Sequence, residues 1–418
     1  MRKTEFTEYR RVVALDVLRG LAILGTLLTN IFIFSLVDAE AASKSPANSV
    51  AMTLLNLVTD GKFIGLLTIM FGIGLEIQRQ SAVRRGQPWP GTYPWRAALL
   101  ILDGILNYVF IFEFDVLMGY GMTALVVAAV MARSPRAQKI WMYVALVVHV
   151  TAMLAMTVLL APKSGEKSGV AQSVNDVFAG YKHSSYWDDV DYRIANVLAM
   201  RTEIPFILLM GVALFLVGAH LYRAGLFQPR AAKLRRRIML LSFGIGLPLD
   251  WGMRLFVDEN YSGIMARYVT SACVSIGLLA AVAAFYARHN RLGRLGELLS
   301  YVGRMALTCY LAQNLIAAFV FYDYGLGIAK VIEGPHSVLY TLGIYVVISA
   351  ILILGSIWWL SRHQRGPVEI LWHASYLWIV GRRSRRRATD IGAQADQSQE
   401  RQLAHTASGT GSESPSDG

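Results

Sequence analysis

The sequence contains little charge and almost no cysteine for its length. Only 16% of its 418 residues are Asp, Glu, Lys or Arg, whereas 55% are hydrophobic. Soluble proteins have about 25% charged residues, so this chain has too little charge to cover the surface of soluble domains. Its two cysteines, Cys273 and Cys309, exclude a disulfide framework and a cysteine-based metal site. Both lie in apolar stretches, where we expect buried structural thiols.

Several motifs of soluble enzymes are also missing from the sequence. It has no Walker loop, no dinucleotide fingerprint, no zinc-ligand spacing and no nucleophile elbow. These absences disfavour ATP-driven transport and metallohydrolase activity, and we expect no metal. The net charge of +12 would fit nucleic-acid binding in a soluble protein. Because basic loops are normal in membrane proteins, we expect no nucleic-acid partner here.

Apolar runs near bilayer-spanning length divide the whole chain. A membrane helix needs about 20 apolar residues. The sequence therefore predicts an all-α polytopic membrane protein of about ten transmembrane helices, whose partner is the lipid bilayer. The ten predicted spans are 12–37, 50–78, 96–113, 115–132, 139–161, 203–222, 237–257, 265–287, 298–322 and 336–361.

Basic residues are concentrated in every second connection between these spans. Examples are Arg84 and Arg85 in the second connection and the run 235–237 in the sixth, whereas the seventh carries Asp258 and Glu259. By the positive-inside rule, both termini are then cytoplasmic. An error of one helix would break this alternation. The pattern predicts a multi-pass protein of the bacterial cytoplasmic (inner) membrane.

The chain is expected to form one membrane domain followed by a tail. The membrane domain covers 1–381 and includes one long external loop, 162–202, where aromatic residues such as Trp187 lie beside carboxylates. That loop suits either sugar stacking or an aromatic belt at the membrane interface. Residues 382–418 begin with a basic run and continue as Ser, Gln, Gly and Asp, which predicts a disordered cytoplasmic tail.

The first span carries polar residues on one face. Asp16 and Arg19 are i,i+3 neighbours and are able to pair. Asn30 follows Arg19 by eleven residues, which places it about 20° from the same face and roughly 16 Å further along the helix. Ionisable residues within spans are costly, so this stripe is a functional candidate. Its alternative is an interfacial charge pair plus a helix-packing Asn.

Other spans contain further polar candidates. Pairs at helical spacing occur at Asp103 and Asn107 in the third span and at Asp250 and Arg254 in the seventh, where a pair that holds two helices together is the alternative. The remaining candidates are Asp60, Lys62, Asp115, Arg201, Arg304, Gln313, Asn314 and Glu369.

An ordered set of these motifs resembles the YeiB family of bacterial membrane proteins. The set covers most of residues 10–380 and consists of Leu15-Asp16 with Arg19-Gly20, Asn30, Asp60-Gly61-Lys62-Phe63 with Phe71-Gly72, Asp115-Val116-Leu117 with Tyr120, Arg201-Thr202, Gly303-Arg304-Met305 with Leu307-Thr308, Tyr310-Leu311 and Gln313, and Gly366-Pro367 with Glu369.

The YeiB family is similar, at a distance, to the transmembrane acyltransferases, whose first helix carries Arg and, eleven positions later, His or Asn. Arg19 and Asn30 fit the second version. The resemblance implies acyl transfer from cytoplasmic acyl-CoA, as co-substrate, to a small-molecule or envelope glycan or lipid acceptor. One departure concerns Asn107, which stands where relatives have His and is unable to accept a proton at neutral pH.

The expected roles follow from the needs of acyl transfer. A base takes the acceptor's proton, and donors hold the oxyanion. As catalytic residues we expect Asp60, Asn107, Asp115 and Asn30, with Asp60 or Asp115 as the base. As substrate-binding residues we expect Asp16, Arg19, Lys62, Arg201, Arg304, Gln313, Asn314 and Glu369.

Two other functions remain open at this stage. Paired intramembrane charges also suit a transporter or flippase of a small or lipid-linked solute. The loss of His at position 107 would suit a non-catalytic membrane protein. If Asp60, Asn107, Asp115 and Arg304 converge on one cavity open to the cytoplasm, the enzyme is favoured. A continuous midplane cavity favours transport, and a filled interior favours the non-catalytic protein.

Overall fold

The computed structural model describes residues 3–35, 45–159, 185–202, 204–289, 292–332 and 334–381. Every extended regular element within these ranges is helical, and they contain no strand. The predicted all-α fold is confirmed. The predicted tail 382–418 and residues 162–184 of the external loop lie outside the described residues. The domain boundary after residue 381 stays a prediction.

The chain divides into two compact units, 1–369 and 370–418. In the second unit, residues 370–381 are helical, and the rings of Trp372 and Tyr376 stack. The helices of the first half of the chain are α1 Lys3–Phe34, α2 Pro46–Val58, α3 Lys62–Arg84, α4 Tyr93–Phe110, α5 Leu117–Met131, α6 Pro135–Leu159, α7 Tyr186–Ala195, α8 Val197–Met200 and α9 Ile204–Arg223.

The second half contains α10 Ala232–Leu241, α11 Leu247–Phe256, α12 Glu259–Met265, α13 Ser271–Arg288, α14 Gly293–Arg304, α15 Ala306–Phe321, α16 Ile328–Val331 and α17 Ser337–Leu360. Two π-helical turns, Ser242–Gly246 and Ala266–Thr270, join α10 to α11 and α12 to α13. Such turns often mark functional sites within helices.

Seven of the described helical segments are long and apolar enough to cross a membrane, or eight if the bent pair α14–α15 forms one span. The two other predicted spans, 96–113 and 115–132, coincide with α4 and α5. Helix α5 is apolar but short, with 15 residues, and α4 carries Arg96, Asp103 and Asn107 among its 18 residues. The chain is therefore a multi-pass membrane protein, and the number ten and the orientation stay predictions.

Helix α1 lies inside the protein, unlike several other spans. Within its apolar window, 67% of the residues are buried, against 22% in α6 and in α17. Its side chains Leu18, Leu27, Ile31 and Phe34 are completely buried. Helix α1 packs against α3, α14 and α15. In its polar stripe Asn30 is buried, whereas Asp16 and Arg19 are partly exposed.

Two predicted spans are interrupted. The second span breaks between α2 and α3 at Gly61, whose φ of +74° lies in the left-handed region that favours glycine. The predicted ninth span, 298–322, is bent. Helices α14 and α15 meet at Met305 with an 88° bend. Non-helical backbone at membrane depth is tolerated only where protein or water satisfies its polar groups.

The expectation for the cysteines was half right. Cys309 is buried, and its Sγ lies 3.3 Å from Ser356 Oγ. Cys273 is exposed on the surface of α13 instead. An apolar stretch in a membrane protein places one face of the helix toward lipid, so an apolar neighbourhood in sequence does not imply burial in protein.

Candidate functional site

Five charged side chains meet beside the break between α2 and α3. Lys62 Nζ lies 2.6 Å from Asp250 Oδ2, and Arg254 Nη1 lies 2.6 Å from Asp60 Oδ2. Arg254 Nε also approaches Asp250 Oδ2 at 3.4 Å. Arg267 Nη1 lies 2.9 Å from Asp60 Oδ1. These residues, here named the five-charge cluster, join α3, α11 and the π-helical turn before α13.

The same cluster satisfies the backbone of the broken helix. The carbonyl oxygen of Asp60 accepts hydrogen bonds from Arg254 Nη2 at 3.1 Å and from Ser271 Oγ at 2.9 Å. Thr270 Oγ1 donates to Asp250 Oδ1 at 2.7 Å. A side chain at Gly61 would overlap the backbone oxygen of Arg267. Contacts with neighbouring helices therefore stabilise the interruption of the span, because they satisfy its backbone and leave no room for a side chain at Gly61.

The members of the cluster differ in exposure. It contains the cations Lys62, Arg254 and Arg267 and the carboxylates Asp60 and Asp250. The side chain of Arg267 is 29% exposed, more than those of Asp60 (16%), Arg254 (10%), Lys62 (5%) and Asp250 (0%). Arg267 is therefore the member of the cluster that is most accessible from outside.

Arg267 also lines a cavity of about 280 Å³. The cavity lies near the C-terminal end of α1, next to the turn between α4 and α5. Its other lining residues are Ile33, Phe114, Gly263, Ile264 and Tyr268. None of Asp60, Asn107, Asp115 and Arg304 lines it. The four residues do not converge on this cavity, so it does not meet the criterion that would favour an enzyme.

A second polar site surrounds Asp115 in the turn between α4 and α5. Asp115 is 2% exposed. Its carboxylate accepts hydrogen bonds from Asn107 Nδ2 at 2.8 Å, the Met118 amide at 3.0 Å and the Tyr310 hydroxyl at 3.4 Å. Arg201 Nη1 donates to the Asp115 carbonyl oxygen at 2.7 Å, and its Nη2 lies 3.9 Å from Oδ2. This Asp115 site brings together three residues that the sequence analysis singled out: Asn107, Asp115 and Arg201.

The described part of the external loop, 185–202, holds this turn in place. Arg193 is fully buried and donates from Nη1 to the Val109 carbonyl oxygen at 3.1 Å. The Tyr186 hydroxyl donates to the Phe110 carbonyl oxygen at 3.0 Å. The last carbonyls of a helix lack partners within the helix. Helix α7 supplies those partners at the end of α4. This structural role differs from the two expected for the loop, sugar stacking and an aromatic belt.

Some buried polar atoms near the Asp115 site lack partners. Gln313 is fully buried, and neither atom of its amide has a hydrogen-bond partner among the described residues. It lies one turn after Tyr310 on α15. In the same described part of the chain, Asp103 Oδ2 and Asn107 Oδ1 are also buried without a hydrogen bond. Asp103 lies close enough to Asp115 to feel its charge. Unsatisfied buried groups are rare and often mark catalytic or ligand sites.

A third group lies near the N-terminal part of α1. Arg19 Nη1 pairs with Asp16 Oδ1 at 3.0 Å, which confirms the contact expected from their spacing. Arg304 is exposed at the bend between α14 and α15, and its charge also acts on Asp16. Helix α14 approaches α1 closely, since side chains at Gly20 or Gly303 would overlap backbone oxygens of the facing helix.

Glu369 caps the N-terminus of α15. Its Oε1 accepts from the backbone amides of Leu307 and Thr308 at 2.8 and 3.2 Å, and Thr308 Oγ1 donates to Oε2 at 2.5 Å. The sequence analysis treated Glu369 as a substrate-binding candidate, and that role stays a prediction. The contacts give it a structural task, because the bend at Met305 exposes the first amides of α15.

The twelve predicted site residues thus fall into several places. Asp60 and Lys62 belong to the five-charge cluster, Asn107, Asp115 and Arg201 to the Asp115 site, and Asp16, Arg19 and Arg304 to the third group. Gln313 and Asn314 are fully buried on α15, and Asn30 is buried on α1. The twelfth, Glu369, caps the N-terminus of α15. Their chemical roles stay predictions.

Sequence reasoning missed Arg267 and Arg193. Arg267 falls inside the predicted span 265–287, so the cost of an intramembrane charge was a signal that pointed to it. Arg193 lies in the external loop, where an arginine is common, and no local pattern indicates its burial. Among the described residues, no group of His, Cys, Asp and Glu has the arrangement of a metal site.

Comparison with known proteins places these motifs in a bacterial group. A family profile described as "Protein of unknown function (DUF418)" matches residues 221–378. The chain is 28% identical over 403 residues to "Uncharacterized protein YeiB" of Escherichia coli (strain K12), covering 89% of this chain and 97% of that protein. It is 26% identical over 389 residues to "Uncharacterized protein YxaH" of Bacillus subtilis (strain 168), covering 88% and 94%. No solved structure matches the chain.

Proposed function

The chain belongs to the YeiB family, and on that premise we propose that it is an acyltransferase of the bacterial inner membrane. In this proposal an acyl group passes from cytoplasmic acyl-CoA to an acceptor on the outer side. The observation that carries the proposal is the amide of Gln313. It is fully buried on α15, one turn after Tyr310 of the Asp115 site, and it has no hydrogen-bond partner among the described residues. Such an amide is able to donate a hydrogen bond to a reacting oxygen.

The acyl donor would bind at the third group. Coenzyme A carries phosphates, and arginine side chains recognise phosphate oxygens through pairs of parallel hydrogen bonds. Arg304 is exposed, and Arg19 has 34% of its side chain exposed. Both lie on the side of the membrane that the basic loops assign to the cytoplasm.

The acceptor would lose its proton to a carboxylate near the Asp115 site. Asp115 itself accepts three hydrogen bonds, so it is better suited to orienting neighbours than to taking a proton. Asp103 Oδ2 is buried with no hydrogen bond from any described residue, and it is our choice for the base. In this proposal Asp103 accepts the proton, the role that the family resemblance would assign to a His at the position of Asn107.

The reaction is balanced without a further reactant. The acceptor oxygen or nitrogen attacks the thioester carbonyl and gives its proton to Asp103, while Gln313 Nε2 donates to the oxyanion. The new C–O or C–N bond forms, the C–S bond breaks, and the CoA thiolate leaves. The proton on Asp103 then returns, through solvent, to the thiolate.

The first test measures acyl-CoA binding and thiol release by the purified full-length protein in nanodiscs. The variant Arg304→Ala has a matched control in Arg294→Ala, an exposed arginine on the same helix α14. Loss of one charge-assisted contact, about 1.5 kcal/mol, should weaken acyl-CoA binding about tenfold for Arg304→Ala and leave Arg294→Ala unchanged. If the folded protein neither binds any acyl-CoA nor releases thiol, the acyltransferase proposal is wrong.

Two interrupted spans favour a second function, transport of a small or lipid-linked solute. Transporters often place broken helices and buried ion pairs at their substrate site. The break at Gly61 carries the five-charge cluster, and the break at Met305 lies next to Arg304. Uptake or release of a labelled solute by proteoliposomes, without thiol release from acyl-CoA, would favour this alternative.

A further inference from the structure

The helix of residues 370–381 exposes one continuous stripe of its surface. Its exposed residues recur at helical spacing, at positions i, i+1, i+4, i+7, i+8 and i+11. They are Ile370, Leu371, Ala374, Leu377, Trp378 and Gly381. Positions at this spacing lie on one side of an α-helix. We infer that this exposed stripe docks on the membrane surface, and that the basic run after the helix binds anionic lipid headgroups there.

The first reason is that the exposed stripe is apolar. Its large members are exposed by 43% at Ile370, 68% at Leu371, 54% at Leu377 and 59% at Trp378. The polar side chains of the helix, His373, Ser375 and Tyr376, lie outside the stripe and are half-buried. A helix on the surface of a soluble protein has the opposite arrangement, with polar residues outward. A continuous exposed apolar surface of this kind marks an interaction site.

The second reason is that the membrane is within reach of the helix. Helix α17, which is long and apolar enough to cross a membrane, ends at Leu360. Trp358 in its last turn is 58% exposed, and tryptophan is typical of the boundary between lipid and water. Residues 361–369 follow, and nine residues extend at most roughly 32 Å. The headgroup region is therefore an apolar partner that is always next to the exposed stripe.

The length of the helix favours a position on the membrane rather than across it. Even when it is counted from Pro367, the helix to residue 381 is only about 22 Å long, at 1.5 Å per residue. The hydrocarbon core is about 30 Å thick. Arginines follow directly after residue 381, and arginine side chains are costly within hydrocarbon. A short amphipathic helix is stable in the plane of the interface, with its apolar side in the lipid.

The third reason is the charge that follows the helix. The sequence continues with Arg382, Arg383, Arg385, Arg386 and Arg387, and it contains no Asp or Glu from position 370 to 389. Basic clusters beside an amphipathic helix are attracted to anionic lipids. Stable binding to a membrane surface usually needs two such signals, one apolar and one basic. A second copy of this chain fits less well, because its own basic run would repel this one.

The docking does not depend on the acyltransferase proposal, because it uses no residue of the proposed reaction. The predicted orientation of the chain assigns it to the cytoplasmic leaflet. Thiol release from acyl-CoA without docking, or docking without thiol release, would separate the two proposals.

The test measures the membrane depth of a nitroxide label on the full-length protein in nanodiscs. Depth is read from collisions of the label with oxygen, which concentrates in lipid, and with a water-soluble nickel chelate. Cys273→Ser and Cys309→Ala remove the native thiols. The label is then attached at Ala374→Cys in the exposed stripe or at Ser375→Cys, its neighbour outside the stripe. We expect collisions with oxygen to dominate at position 374 and collisions with nickel to be stronger at position 375.

Two other outcomes would overturn the proposal. Dominant nickel collisions at both positions would mean that the helix lies in water. Few collisions with either reagent at position 374 would mean that a protein surface, such as a second copy of the chain, covers the stripe. Leu371→Gln combined with Leu377→Gln should abolish the oxygen preference at position 374 without changing the melting temperature. Ser375→Gln is the matched control and should keep that preference.

The lipid composition of the nanodiscs tests the basic run. Addition of phosphatidylglycerol to phosphatidylcholine should increase the oxygen preference at position 374. This increase should be lost when the five arginines after residue 381 are replaced by glutamine. Arg230→Gln combined with Lys233→Gln and Arg236→Gln removes exposed charges of another connection and should leave the increase intact. Equal depth with and without phosphatidylglycerol would overturn the anionic partner.

Discussion

Two buried glutamines of this protein have opposite surroundings. Gln138 accepts a hydrogen bond from Arg223 at 2.6 Å and donates to the carbonyl oxygens of Met131 and Arg133. Gln313 is fully buried with no hydrogen bond from any described residue. A buried amide without partners costs about 1–3 kcal/mol. Because the unpaired amide of Gln313 destabilises the fold, we expect Gln313 to have a role in the proposed reaction instead.

Replacement of Gln313 by leucine should therefore raise stability and reduce activity. Gln313→Leu removes the unsatisfied amide, so we expect the melting temperature to rise by a few degrees. Loss of an oxyanion donor should lower the rate of thiol release from acyl-CoA by about 10²-fold. Both are measured on the purified protein, the first by thermal unfolding and the second with a thiol reagent.

Gln138→Leu is the matched control for this prediction. It removes an amide whose hydrogen bonds are made, so the melting temperature should fall. If Gln313→Leu lowers the melting temperature as Gln138→Leu does, Gln313 has a structural partner and the argument for an oxyanion donor fails.

At the scale of the helix, two glycines of α3 have different neighbours although they are only two positions apart. A side chain at Gly72 would overlap backbone atoms of Phe215 on α9, whereas a side chain at Gly74 would meet no atom within 4 Å. Helices in membranes pack closely where small residues face each other. Gly72 therefore sets the distance between α3 and α9, and Gly74 does not.

The pair gives a direct test of this packing. Gly72→Ala should lower the stability of the detergent-solubilised protein by about 1–3 kcal/mol, because α9 has to move away. Gly74→Ala should leave stability unchanged or raise it by up to about 1 kcal/mol, as alanine favours the helix. Unfolding curves of both variants measure the difference. Equal curves would mean that α3 and α9 do not touch at Gly72.

At the scale of the whole molecule, the orientation predicted from loop charge has direct consequences for labelling. The experiment introduces single cysteines at positions 85, 187, 289 and 331, which are exposed and lie in four different connections. A background with Cys273→Ser and Cys309→Ala removes the native thiols. In intact cells, a membrane-impermeant maleimide should label positions 187 and 331, whereas positions 85 and 289 should need permeabilised cells. Labelling of position 85 in intact cells would mean that the protein has the opposite orientation to the predicted one.

The sequence by itself determined the membrane character, the all-α fold and the approximate positions of the helices. Hydropathy and helical period are local properties, so a window of about 20 residues suffices to read them. The Asp16–Arg19 pair was predictable for the same reason, because both residues lie on one turn of one helix.

Only the tertiary structure decided which distant residues meet. Asp60 pairs with Arg254 and Arg267 across about 200 positions of sequence, and Glu369 caps α15 from 62 positions away. Hydropathy also gave no sign of the bend at Met305, since both arms of the bent helix contain apolar residues. Such features depend on how helices pack against one another, and packing is a property of surfaces that a single sequence does not display.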